Sequence, residues 1–137
     1  MFASKITNFM KYRDLNVLAN NLQAVITNEE TKVQKKLVKI FEKVKPIVEE
    51  YQEKANDLRI DNASVDEKDI LLLDEKGGYK FTKEGLKTLT KQLQDLDNQE
   101  FTFTKIDVVN PQGLEKFIFL KDWLSGVNFL EEEDEEL

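Results

Sequence analysis

Apolar positions along this chain switch between two spacings, and the switches mark out its predicted elements. From Asp14, the residues Leu15, Leu18, Leu22 and Ile26 step by three and four, one buried face of an α-helix. Thr27-Asn28-Glu29-Glu30 interrupts that pattern. Thr27 or Asn28 can cap a helix, and the two glutamates suit the positive end of a helix dipole. Val33, Leu37, Ile40, Val44, Ile47, Tyr51, Ala55 and Leu58 then repeat every 3.5 residues or so, the spacing of a packed helix–helix seam. Pro46 lacks a backbone donor and crowds the preceding turn, so a kink or break is expected near Glu42–Pro46. The short link between the two periodic runs predicts an antiparallel helical hairpin at the N-terminal end.

The remaining pattern is shorter in wavelength. Residues 1–12 carry Phe2, Ile6, Phe9 and Tyr12 without a clear period and read as a lead-in that docks by its aromatics. Residues 61–69 are polar and turn-forming; Ile70-Leu71-Leu72-Leu73 then reads as a short buried strand. A loop over Asp74–Gly78 returns the chain to a second strand, Tyr79–Thr82, closing a β-hairpin. Thr82 is placed to cap a helix whose face is Leu86, Leu89, Leu93 and Leu96. Phe101-Thr102-Phe103-Thr104 alternates as a half-buried strand should, continuing to about Val109. Asn110-Pro111 opens a last helix through Leu114, Phe117, Ile118, Lys121 and Leu124, ended by Gly126. The expectation is an α+β fold: an N-terminal helical hairpin packed with a small β-sheet (hairpin plus one strand) and two further helices. No repeat or change of composition divides it, so one domain is expected over 1–130, followed by an acidic tail at 131–137.

Composition narrows the chemistry. Nine phenylalanines and a 40% hydrophobic share suffice for a core. There is no histidine and no cysteine. General acid–base catalysis near neutral pH loses its commonest side chain, and thiolate nucleophiles, disulfides and almost all structural zinc sites are excluded. The N-terminal MFASKITNFMKYR has no uninterrupted apolar core of a signal peptide, and Ile70–Leu73 and Phe117–Leu120, four residues each, are the longest apolar runs. A soluble, intracellular protein without a membrane span is expected. Of the net charge of −7, the run 131–136 supplies six, which leaves −1 for residues 1–130.

Motifs of catalysis are missing. Asp95–Ile106 starts like a calcium loop, but its sixth residue is Glu100 where a glycine is needed and its twelfth is Ile106. There is no phosphate-binding glycine motif, and Ser4, Ser64 and Ser125 have no histidine to activate them. A non-catalytic protein without metal or cofactor is expected.

Binding features are present. Lys32, Lys36, Lys39 and Lys43 step by four, three and four beside the apolar seam, with Lys35 alongside. Like charges at that spacing cost a helix a few tenths of a kcal/mol per pair. The stripe is either a solvated face or a seat for an anionic partner: an acidic protein segment, nucleic acid, or this chain's own tail. Nucleic acid is disfavoured, because only Arg13 and Arg59 are arginines and no aromatic platform interleaves with the stripe. Glu131, Glu132, Glu133, Asp134, Glu135, Glu136 and Leu137 form either a recruiting segment with an apolar anchor or a solubilising tail. Phe119 and Trp123 lie partly off the predicted face of the last helix, which leaves core and partner-facing roles open.

The segments NVLANNLQAVITNEETKVQKKLVKIFEKVKPIVEEYQEKANDLRI, YKFTKEGLKTLTKQLQDL and EFTFTKIDV, with a short closing helix, make a layout that resembles small phage-encoded proteins of unknown function. The resemblance implies a phage genome as source and a structural or accessory role, in the host-cell cytoplasm or a virion. The function expected is therefore protein–protein interaction, as a phage structural, assembly or accessory protein, with a second copy through the 33–58 seam as one candidate partner. The competing expectation is a host-directed inhibitor, of anti-defence or DNA-mimic type, acting through negative charge.

Overall fold

The computed structural model describes residues 7–130 and runs in the order β1 (Thr7–Lys11), α1 (Tyr12–Ile26), α2 (Thr31–Asn62), α3 (Lys83–Asp97), β2 (Glu100–Thr104), β3 (Ile106–Asp107), a 3-10 turn (Ile118–Leu120) and β4 (Leu124–Ser125). The fold is α+β. Its strands form two two-stranded sheets, β1–β2 antiparallel and β3–β4 parallel. No helix among the described residues is long and apolar enough to cross a membrane. The chain divides into two compact units, one of residues up to Pro46 and from Glu100 onward, the other Ile47–Gln99.

In the first unit, β1 stands where the sequence suggested an undefined lead-in. Its partner lies some ninety residues away, so no local pattern announces it: Met10 pairs with Phe101, and Asn8 with Phe103. β2 alternates as expected, Phe103 buried and Thr102 and Thr104 exposed. The chain enters α1 directly from β1, with the Asp14 carboxylate accepting from the Lys11 backbone N–H at 3.2 Å. The predicted face of α1 is the buried one, Leu15, Leu18 and Leu22 being almost fully covered. α1 ends at the expected break, where Gln34 Nε2 donates to the Ile26 carbonyl at 2.9 Å. Val33, Leu37, Ile40 and Val44 of α2 are all buried. That half of the seam is spent on the chain's own core and is not open to another protomer.

α2 does not break at Pro46. The proline is exposed, so the Glu42 carbonyl it leaves without a helical partner faces water and one lost hydrogen bond is tolerated. The boundary between the two units nevertheless falls there.

The closing helix expected over 110–124 is replaced by consecutive three-residue turns. The N–H groups of Leu114, Phe117, Leu120 and Trp123 donate to the carbonyls of Pro111, Leu114, Phe117 and Leu120. A period of three puts these four side chains on one side, and all four are buried. Gly113 at φ 88° and Phe117 at ψ 73° are both incompatible with an α-helix.

In the second unit, α3 begins as predicted, with Thr82 Oγ1 accepting from the Gly85 N–H at 2.9 Å. Tyr51 Oη donates to Asp97 Oδ1 at 2.6 Å and Asn62 Nδ2 to Gln92 Oε1 at 2.7 Å, fastening α2 to α3 at two levels. Between them the chain builds the same turn twice. Asp66 Oδ1 accepts from the N–H groups of Lys68 and Ile70, and Asp74 Oδ1 from those of Lys76 and Gly78. Asp69 (φ 63°) and Gly77 (φ 83°) occupy the equivalent left-handed position. A single bridge closes each turn, Val65 to Leu71 and Leu73 to Tyr79. The buried strand expected at Ile70–Leu73 is thus a pair of turn arms, with Ile70 58% and Leu73 53% exposed.

Among the described residues, only Ala55, Leu89 and Leu96 are buried apolar side chains of this unit, against sixteen in the other. Local opening follows local burial. Hydrogen exchange is therefore expected to be fastest, among bonded amides, at Ser64–Lys80 and slowest at Leu15–Leu22 and Leu37–Val44. Equal protection across both sets would contradict this.

Candidate interaction site

The lysine stripe lies on α2 within the first unit. Lys36, Lys39 and Lys43 line a cavity of about 300 Å³ whose other wall is Ile106–Asn110 and whose apolar floor includes Ile40 and Leu114. A second cavity adjoins it, sharing Lys43, Ile106 and Asp107 and adding Phe103 and Lys105. Together they form a furrow between α2 and β3. Lys36 Nζ donates to the Gln112 carbonyl at 2.7 Å, which ties the loop after β3 to the helix. Lys39 and Lys43 are exposed and make no ion pair among the described residues. Among the described residues Asp107 is the one acid of the furrow, and its carboxylate accepts a hydrogen bond from Ser125 Oγ. Lys32 belongs to the same stripe but does not line the furrow. The lysines were visible in the sequence; the wall at Ile106–Asn110, some seventy residues on, was not. Val109 of that wall is 93% exposed.

The aromatic candidates resolve differently. Trp123 is 4% exposed, and its ring meets Phe103 edge-on with centroids 5.0 Å apart. It belongs to the core and does not face a partner. The cause is the three-residue period, which turns position 123 inward where an α-helix would have turned it aside. Phe119 is half-buried, edge-on to Phe117 at 6.0 Å. The acidic candidates Glu131 to Glu136, and Leu137, lie outside the described residues.

The second unit carries a different surface. Ile60, Val65, Ile70, Leu72, Leu73 and Leu86 are all exposed, six of the eleven large apolar side chains left open among the described residues. Leu86 was expected on the buried face of α3 and is 51% exposed. The two units also differ in charge. Residues 47–99 hold thirteen carboxylates against eight basic side chains; residues 7–46 and 100–130 hold eight against eleven. The near-neutral body read from the sequence is a sum over two regions of opposite sign. Among the described residues no polar or charged side chain is buried, and no three metal-ligating side chains come together.

This arrangement defines a small α+β protein with a basic furrow on one unit and most of its exposed apolar side chains, among the described residues, on the other. Neither protein-family models, curated proteins nor solved structures yield a match to the chain.

Proposed function

We propose that this protein acts without catalysis by binding other proteins, as a small phage structural, assembly or accessory protein. The observation that supports the reading is the concentration of exposed apolar side chains on residues 47–99. A unit that buries three apolar side chains and exposes six large ones leaves much of its hydrophobic stabilisation unrealised. Such surfaces on small proteins mark interaction sites. Ile70, Leu72 and Leu73 sit on tight turns held by the Asp66 and Asp74 carboxylates. They can therefore be covered by a partner without refolding. The acid excess of the same unit supports the second reading, a host-directed inhibitor presenting negative charge, because it is concentrated there and not spread over the chain.

The test is the double substitution Ile70→Lys with Leu73→Lys. Both side chains are more than half exposed, so the fold is expected to survive with stability changed by no more than about 0.5 kcal/mol. Light scattering on eluting protein, and capture of partners from phage-infected cells, are compared with the unaltered chain. Loss of an oligomer or of a captured protein in the double variant supports the reading. A monomer that captures the same set of proteins with and without the lysines overturns it.

A further inference from the structure

We infer that the furrow lined by Lys36, Lys39 and Lys43 is a binding site for an extended acidic segment, and that its occupant is residues 131–137 of the same chain. The inference is independent of the apolar surface on residues 47–99.

Three observations carry it. The first is charge. Four lysines line the two adjoining cavities (Lys105 with the three of the stripe), while the single acid, Asp107, is held by Ser125. A run of like charges on one helix face is intrinsically unfavourable, and Lys39 and Lys43 have no ion-pair partner among the described residues. Residues 131–136 supply six consecutive carboxylates.

The second is shape. The lysines stand along an apolar floor that includes Ile40, Ile106 and Leu114, so the furrow suits a chain carrying charge with an apolar residue beside it. Leu137 is that residue in the 131–137 segment. Lys36 and Lys43 are about 10 Å apart along the helix axis, which alternate residues of an extended strand, each about 7 Å on, can follow.

The third is position. The Leu130 N–H donates to the Glu115 carbonyl at 2.9 Å, and the neighbouring Leu114 lines the furrow. The acidic run therefore starts beside the furrow, and its seven residues reach at most about 24 Å. Tethering at that distance gives an effective concentration of roughly millimolar, enough for a segment of weak intrinsic affinity to fill the site. Occupied in this way, the furrow opens to an acidic segment of another protein only by exchange.

The chain has no cysteine, so Asp134→Cys accepts a single nitroxide label and leaves five acids in place. Paramagnetic broadening of amide signals is read in the otherwise complete chain, at low salt and at about 1 M salt, where screening acts within about 3 Å. The expected result is loss of the signals of Lys36–Lys43 and Val108–Asn110 at low salt, with recovery at high salt. The double substitution Lys39→Gln, Lys43→Gln should also restore them; both side chains are exposed, and the unchanged remainder of the spectrum reports an intact fold. Broadening confined to residues next to Glu115, unaffected by salt or by the lysine substitutions, would overturn the inference. So would broadening that appears only when labelled chains are mixed with unlabelled isotope-enriched ones, since the occupant would then be a second copy's segment.

Discussion

Replacement of Trp123 by alanine is expected to cost about 3–5 kcal/mol of folding stability, the range for removing a large aromatic from a packed interior. The side chain is 4% exposed and stacks edge-on against Phe103. Its backbone also joins two structures, donating to Leu120 and accepting from the Ile106 N–H at the start of β3. An indole-sized void there would loosen both the turn series 111–123 and the β3–β4 pair. Stability of small proteins is about 5–15 kcal/mol in total, so the variant should retain only part of its margin. Urea unfolding followed by circular dichroism, needed because the only tryptophan is removed, should show a midpoint lower by roughly 1.5–3 M. A partner-facing tryptophan would behave in the opposite way. Its replacement would leave the midpoint unchanged within about 0.5 kcal/mol and weaken association instead.

Why position 123 was hard to place from the sequence is instructive. Leu114 and Phe117 are three apart, a step shared by an α-helix and by three-residue turns. What separates the two is the continuation to Leu120 and Trp123, which keeps a strict period of three. Gly113, just after Pro111, also permits a backbone that no α-helix contains. By contrast α1 and α3 were readable because each has a run of one period, and Thr82 caps α3 as its place suggests; α2 was readable by its period, but its start at Thr31 and its passage through Pro46 were not. β1 was not, because this five-residue strand, from which Met10 packs inward, acquires its structure from β2, far along the chain.

Part of the candidate site was likewise readable and part not. The lysines follow one helix face, so their spacing alone placed them together. A furrow needs a second wall, and only the fold brings Ile106–Asn110 to α2. The apolar surface was misread for a different reason. Four consecutive apolar residues resemble a buried strand by composition, whereas the repeated Asp-Glu-Lys at 66–68 and 74–76 specifies two tight turns that leave the intervening side chains outside. Net charge was misleading because summation over 1–130 cancels a basic region against an acidic one.

Gly113→Ala is the second substitution expected to have a large effect, about 2–4 kcal/mol. Two costs combine. The backbone at φ 88° disfavours any Cβ by about 1–2 kcal/mol. An added methyl would also stand 2.5 Å from Val33 Cγ2, and overpacking of this kind costs about 1–3 kcal/mol. Val33 has little freedom to yield, being 7% exposed on α2 and branched at Cβ. The two costs separate in a double-mutant cycle. Val33→Ala alone should destabilise the protein by removing buried methyls, yet in the Gly113→Ala background it also removes the clash. The double variant should therefore be more stable than the sum of the single effects by about 1 kcal/mol or more, within the range of coupled neighbours. Additivity within about 0.3 kcal/mol would place the entire cost in the backbone, and would mean that the loop is free to move away from α2. That freedom bears on function, because Gln112, one residue before, accepts from Lys36 and so helps hold the furrow's wall.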